Sequence, residues 1–499
     1  MVVSKINNSI PTPLLFAAFS AAVGYYFLAS APFAFCVFIL AVCLAALCLF
    51  MVLASRGVFA SFGGRNRSSR LMFARCAAAS VGLVLGICAS LAGHNEVYFA
   101  IGVDRVTAVE GVLLEDPRAT SNGNAVASLS LRRCAGEGGL RATANGEITV
   151  FFPSASAARL KEFGRGATVF AEGNLTSSSY QGTGWTLSAR SAHIVKPAPS
   201  IEKARTGIRQ GLADRFDGKK WGGLALAMLV GVRDNLDTNF TAVYREAGLS
   251  YILALSGMHL AVFTALIAFI LRKPLGLKAS VIAGAVIISL YCFIVGPMPS
   301  LNRAALMYLL GALAVLGALP KKSMSILALS FLVQIVITPS AGNTISFILS
   351  YLAMLGILII AKALVSLFSG KVPDFILRPL AVSCGAFLAT AGVCCYTFGY
   401  IAPAGIAASL LIVPATSVFM IGSIFYLALD AVSLSGILNW PLSLLYQMME
   451  KTAALAGMVP GITGAKPFII LTISVVLSMF IVVFEYARRA SRLTLQPFG

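Results

Sequence analysis

The sequence predicts a polytopic α-helical membrane protein of about 12 transmembrane helices, with a small OB-like β-barrel domain inserted on the extracytoplasmic side. Three observations carry that prediction. The 499 residues are 58% hydrophobic and 11% charged, with a mean hydropathy of +0.87, which is more apolar surface than a soluble fold can bury. Apolar runs long enough to span a bilayer recur from one end of the chain to the other. One region, residues 93–200, loses those runs and takes up short β-rich stretches instead.

The N-terminal membrane segment is residues 1–92. Lys5 ahead of an apolar stretch, with small residues at Ser30, Ala31 and Ala34, resembles a signal peptide. A second apolar run follows at once, so 11–29 and 33–54 are expected to form a retained helical hairpin. Arg56, Arg65, Arg67 and Arg70 then gather in one loop, which the positive-inside rule assigns to the cytoplasm. A third helix, about 71–92, delivers residues 93–200 to the outside.

In that outer region Gly, Asn and Ser turns separate five expected strands: Val106–Leu114, Val126–Arg133, Glu147–Phe152, Ala167–Gly173 and Trp185–Val195. Five strands in about a hundred residues suit a Greek-key barrel of OB type, and a small β-sandwich stays open as the alternative. Phe151, Phe152, Phe163, Phe170, Tyr180 and Trp185 read first as core, and second as faces on which bases could stack. Arg132, Arg133, Arg141, Arg159, Lys161 and Arg165 could track a nucleic-acid backbone, although acidic and basic residues nearly balance here.

Residues 201–220 set Lys203, Arg205, Arg209, Arg215, Lys219 and Lys220 among Ile201, Ile208, Leu212 and Phe216 at helical spacing. That is the pattern of a basic amphipathic helix lying on the membrane surface. Residues 221–499 return to the membrane, with helices expected near 249–271, 279–296, 301–319, 324–338, 343–369, 379–396, 403–427, 436–458 and 467–487. Segment 222–233 is expected to dip in without crossing. Arg272, Lys273 and Lys278, then Lys321 and Lys322, then Lys371 and Arg378, then Arg488, Arg489 and Arg492 all fall on the cytoplasmic side if 93–200 is outside, which puts both termini inward. Pro297, Pro299, Pro339, Pro403 and Pro414 interrupt apolar runs, and non-helical backbone at membrane depth survives where it is buried in protein or lines a wet cavity. Ala381, Gly385 and Ala389 repeat every four residues, a spacing that lets helix backbones approach closely.

His259 is the only histidine in a membrane segment, beside Ser256 and Gly257 in what reads as one apolar helix. An ionisable imidazole in that setting needs a partner or a wet cavity, so the segment reads as a pathway wall or as a histidine bonded to a neighbouring helix. Arg303, after Asn302, could meet a phosphate or snorkel to lipid headgroups. Asn343, Ser346 and Ser350 make a polar stripe at spacings of three and four.

Several chemistries are excluded. No Gly-x-x-x-x-Gly-Lys-Ser/Thr run occurs, so a P-loop does not supply energy. The other two histidines, His94 and His193, lie in the outer region, so a multi-histidine metal site in the membrane is not expected, nor is any cofactor. Cys36, Cys43, Cys48, Cys88, Cys292 and Cys384 sit in apolar runs as small hydrophobes, and Cys394–Cys395 reads as packing. Cys134 stands alone in the outer region, which has no internal disulfide. The net charge of +19 is explained by orientation of the spans before any nucleic-acid partner is invoked.

Several separated motifs resemble the ComEC-type competence family: Leu229-Val-Gly-Val-Arg233, Ala247-Gly-Leu-Ser250, Leu255-Ser-Gly-Met-His259, Asn302-Arg-Ala-Ala-Leu-Met307, Leu349-Ser-Tyr-Leu-Ala-Met-Leu-Gly-Ile357 and Ile412-Val-Pro414. They fall in the family's order. The resemblance implies an inner-membrane channel that passes single-stranded DNA to the cytoplasm during natural transformation. Ser256, Gly257 and His259 would sit in its core, Arg233 and Arg303 would meet phosphates, and Asn302, Asn343 and Ser350 would lie beside the strand. It also implies a DNA receptor, a separate cytoplasmic ATPase and a separate nuclease as partners, in a form without the metallo-β-lactamase-like domain of longer members. Val232, Tyr251, Ile348 and Ser409 depart from the family's acidic, histidine, glutamine and asparagine residues. Two rival readings accompany the channel: a hydrolase acting within the membrane or on a lipid-linked substrate through His259, and a non-conducting scaffold.

Overall fold

The computed structural model describes residues 13–27, 67–93, 97–120, 123–136, 141–156, 164–177, 184–233, 235–296, 298–319, 322–464 and 466–494. The expected helix 33–54, and with it Arg56, Arg65, Cys36, Cys43 and Cys48, lies outside the described residues, as do Arg159, Lys161, Phe163, Tyr180, Pro297 and Lys321. Seven helices among the described residues are long and apolar enough to cross a membrane, and Pro13–Tyr26 and Ser323–Ile337 are shorter apolar helices. The chain is thus a multi-pass membrane protein with a small barrel domain. Its contacts divide into two units, Met1–Glu96 with Leu306–Phe347, and Val97–Ala305 with Ile348–Gly499.

In the first unit, α1 (Pro13–Phe27) packs on α2 (Arg67–Gly93) through small residues. A Cβ built on Gly82 would fall 2.0 Å from the Ala17 carbonyl oxygen, and one on Gly86 2.2 Å from that of Ala21, so glycine is what lets these backbones meet. The hydroxyl of Ser20 donates across the contact to the carbonyl of Ala79 at 2.7 Å.

The second unit begins with the barrel. Strands β1 (Val106–Leu113), β2 (Ala125–Gly136), β3 (Glu147–Phe152), β4 (Thr168–Ser177) and β5 (Trp185–Lys196) follow the expected segments to within a few residues. β1 pairs with β2 and β4, β2 with β3, β4 with β5, and β3 closes the ring on β5 in the one parallel pair. That closed Greek-key ring decides between barrel and sandwich in favour of the barrel. Val109, Leu129, Ile148, Val150, Phe152, Val169 and Leu187 fill its core, each with no exposed surface. Phe152 is therefore core as expected, whereas Phe151, Phe170 and Trp185 are half-buried. Phe170 lies against His193 with ring centroids 5.1 Å apart, and Trp185 meets Phe99 edge-on at 6.2 Å.

After the barrel comes α3 (Ser200–Phe216), which departs from the surface helix expected. Ile201 stays exposed at 63%, but Arg205 is turned inward and buried. Next, α4 (Gly222–Val230) is buried at all nine positions, and at about 1.5 Å per residue it is too short to cross a bilayer.

The helix α5 (Gly257–Val295) runs for 39 residues but is not one rod. Pro274 precedes Gly276, whose φ of 73° breaks the helix, and the rings of Phe263 and Tyr291 stack with centroids 4.8 Å apart. In a straight helix those two residues would stand about 42 Å apart, so the chain folds back at Gly276 into two antiparallel arms. Arg272, Lys273 and Lys278 sit around the tip, while Gly257 and Val295 share the opposite end.

α6 (Pro299–Leu316) starts on its proline, and α7 (Ile345–Gly356) runs into a π-helical turn, Ile357–Ala361, before Lys362–Phe368. α8 (Asp374–Phe398) crosses at that turn, where a Cβ on Gly356 would lie 2.0 Å from the Gly385 carbonyl oxygen. Pro414 lies inside the helix Ala404–Asp430, which matches the helix expected near 403–427, and Pro403 caps that helix.

Candidate functional site

The expected helix 249–271 is broken. Ser250–Leu253 forms a single short turn, Ala254 is extended, and Ser256, with φ −125° and ψ 171°, is the N-cap of α5. His259 is therefore not within a continuous helix but in its first turn. The imidazole reaches back to the cap: Nδ1 lies 3.2 Å from the Ser256 amide nitrogen and 3.0 Å from Ser256 Oγ. The amide can only donate, so Nδ1 accepts, and the neutral ring carries its proton on Nε2. Among the described residues that Nε2–H has no hydrogen-bond partner, in a side chain only 2% exposed.

The start of α6 closes the break. Ser300 Oγ donates to the Leu255 carbonyl at 3.0 Å, so the non-helical backbone is satisfied by a side chain. One turn on, Arg303 is 6% exposed, and its Nε donates to Ser350 Oγ on α7 at 2.6 Å. Its guanidinium carbon stands 5.9 Å from the centre of the Tyr351 ring. A Cβ on Gly257 would lie 3.1 Å from Arg303 Nη2, so the glycine leaves the room in which the guanidinium rests against the N-terminus of α5.

The fold thus gathers Ser256, Gly257, His259, Arg303 and Ser350, and it adds Ser300 and Tyr351, which sequence reasoning missed. Asn302 is exposed. Arg233 is exposed in the turn after α4, within the electrostatic reach of Arg118 on the barrel. That turn backs onto the break, because a Cβ on Gly231, whose φ is +75°, would meet Leu255 Cδ1 at 2.8 Å. Asn343 is a correction. It ends the 3-10 turn Pro339–Asn343 ahead of α7, so it is not on the helix with Ser350, and it belongs to the other unit. There its amide donates to the Gly93 carbonyl at 3.4 Å, and its Oδ1 lies 3.0 Å from the Tyr25 hydroxyl.

His259 lies about 24 Å along its arm from the basic tip of the hairpin, at the end where Val295 meets the barrel through Arg205 and Asp116.

The groups brought together here are a guanidinium and an imidazole N–H among hydroxyls, an aromatic face and backbone. Such a set suits an acceptor-rich group such as a phosphate. A Ser–His hydrolase finds less support. The 3.0 Å contact between Ser256 Oγ and Nδ1 exists, but the same nitrogen caps the helix, and Nε2 has no carboxylate to orient the ring. Among the described residues no group of three or more His, Cys, Asp or Glu could hold a metal ion.

The family profile described as "Competence protein" matches residues 228–489. ComE operon protein 3 of Bacillus subtilis (strain 168) is 32% identical over 139 residues, which is 26% of this chain and 17% of that relative. The match thus spans well under two thirds of the curated relative's length. With the profile covering more than half of the 499 residues, from α4 through the hairpin to the last long helix, the chain belongs to the competence protein family, of ComEC type.

Proposed function

We propose that the protein is an inner-membrane channel passing single-stranded DNA into the cytoplasm during natural transformation. Family membership supports a role in DNA uptake for competence. The observation that carries the channel reading is the buried Nε2–H of His259, a donor with no acceptor among the described residues, gathered beside Arg303 at the barrel end of the hairpin. A phosphodiester strand offers acceptors to both groups.

His259 and Arg303 are enclosed by protein at 2% and 6% exposure, so the described conformation is a closed one. Opening then means parting the break at 254–256 from the start of α6, where the Ser300 hydroxyl on the Leu255 carbonyl stands in for a helix hydrogen bond. In this reading residues 93–200 are extracytoplasmic, both termini are cytoplasmic, and the basic hairpin tip faces the cytoplasm. The strand enters from a surface DNA receptor, is drawn in by a separate cytoplasmic ATPase, and its complement is removed by a separate nuclease.

Arg303→Gln and His259→Gln proteins at parental membrane levels test the reading. DNA binding to the cell surface should persist while transfer into the nuclease-protected pool falls at least tenfold. Unchanged transfer in both variants defeats the channel site.

A further inference from the structure

The barrel is joined to the hairpin by more than the linking helix. Arg205 on α3 is 1% exposed, and each of its five N–H donors has a partner. Nε donates to the Ile294 carbonyl at 3.0 Å. Nη1 donates to Asp116 Oδ1 at 3.2 Å and Glu202 Oε2 at 3.1 Å. Nη2 donates to Asp116 Oδ2 at 2.7 Å and the Val295 carbonyl at 3.3 Å. Asp116 belongs to the barrel, where it also accepts the Arg165 amide at 2.9 Å and the guanidinium of Arg209.

Two of these acceptors are carbonyls in the last turn of α5, groups that a helix leaves unpaired and that carry the negative end of its dipole. Arg205 therefore caps the hairpin's second arm. Immediately after the capped carbonyls comes Gly296, with φ +96°, and a Cβ there would sit 2.8 Å from Arg205 Nη2. Ser300 and Arg303 follow Gly296 within seven residues. The end of α5 is held by Arg205, and the start of α6 by Ser300 on the Leu255 carbonyl.

We propose that Arg205, anchored by Asp116, is a positioning residue that seats the barrel on the end of the hairpin and so fixes the end of α5 against the start of α6, which carries Ser300 and Arg303. Barrel and site then shift together, and a load on the barrel is passed to the break at 254–256. The inference concerns the shape of the site and stands whether or not its cargo is DNA.

Two substitutions separate charge from geometry. Asp116→Asn leaves a buried guanidinium without its anchor, and a half-removed buried pair is far costlier than an absent one. Arg205→Lys keeps the charge but offers three donors from one point in place of a planar fork of five. The reporter is Leu301→Cys, at a position with no exposed surface next to Ser300, in a chain whose native cysteines are replaced. The control is Ser423→Cys, equally buried in the helix Ala404–Asp430.

Maleimide labelling of membranes should be at least tenfold faster at Leu301→Cys in both variants, with Ser423→Cys unchanged. Asp116→Glu should return labelling toward the parent. Labelling at Leu301→Cys that stays at the parental rate overturns the proposal. So does an equal rise at Ser423→Cys, which would mean general loosening. Loss of both Asp116→Asn and Arg205→Lys from the membrane would make the node a folding requirement and overturn it as well.

Discussion

Replacing His259 with methionine separates what the imidazole does for the fold from what it does for the cargo. In the structure the ring contributes two opposed terms. Nδ1 accepts from the Ser256 cap, an interaction of the kind worth about 1 kcal/mol. The buried Nε2–H has no acceptor among the described residues, a penalty of about 1–3 kcal/mol. Methionine fills a comparable volume with an adaptable side chain and removes both terms. The variant should then be as stable as the parent or more stable by up to about 2 kcal/mol, the difference between those two terms. The assay pairs thermal unfolding of the purified protein in detergent with transformation frequency normalised to the amount of protein in the membrane. We expect Tm to hold or rise while transformation falls at least tenfold, the loss of a contact worth about 1.4 kcal/mol or more. A lowered Tm with transformation tracking protein amount would return His259 to a structural role. Undiminished transformation at parental Tm would show that its free N–H never meets the cargo.

Three further outcomes follow from the geometry. Gly356→Ala drives a methyl to 2.0 Å from the Gly385 carbonyl and should destabilise by about 1–3 kcal/mol, whereas Gly311→Ala meets nothing within 4 Å and should be neutral or stabilising by up to about 1 kcal/mol; equal Tm values for the two would contradict the close crossing. Burial alone would raise the affinity of the Asp116 carboxyl for its proton, but Arg209, Arg205 and the Arg165 amide outweigh it and hold the carboxyl below the usual carboxylate range. The stability it confers is then complete above its unfolded value of about 3.9 and is lost as pH falls through the folded value, so Asp116→Asn should show a shallower fall of Tm in acid than the parent, and matching slopes would remove the anchor role. A cysteine in place of Lys273 at the hairpin tip should react with an impermeant thiol reagent only from the cytoplasmic face, and one in place of the exposed Ser188 on β5 only from the other; labelling of both from one face would defeat the topology.

The sequence makes the helices and strands legible for a simple reason: each has one dominant period and a solvent boundary that its side chains must respect. The barrel strands alternate between core and surface, and the ring of Val109, Leu129, Ile148, Val150 and Val169 repeats that alternation strand by strand. The hairpin is legible from its tip, where three basic residues flank Pro274 and Gly276. The break at 254–256 is not, because Leu-Ala-Leu-Ser-Gly-Met is as apolar as the helices around it and carries no proline. The available signal was Ser256, an N-cap residue followed three positions on by a side chain able to bond back to the cap. A histidine in that place does not match the Glu or Gln of the usual pattern. Arg205 is hidden for a different reason. Its basic, amphipathic surroundings look the same whether the charge faces headgroups or a carboxylate, and Asp116 lies 89 residues away.

The departures from the family's polar residues bear on whether the conduit is intact. Tyr251 and Ser409 stand where the family often has histidine and asparagine. Ser409, with 1% of its surface exposed, lies 2.6 Å from Ser383 Oγ and donates to the Ile406 carbonyl. One departure, Ser409, is thus tied to α8 through the Ser383 hydroxyl. Val232 differs, since it packs half-buried on the apolar cluster of Leu224, Leu229 and Leu253 with nothing polar in its place. The Ser383–Ser409 pair thus joins α8 to the helix Ala404–Asp430 through hydroxyls, a helix contact additional to the glycine crossing at Gly356 and Gly385.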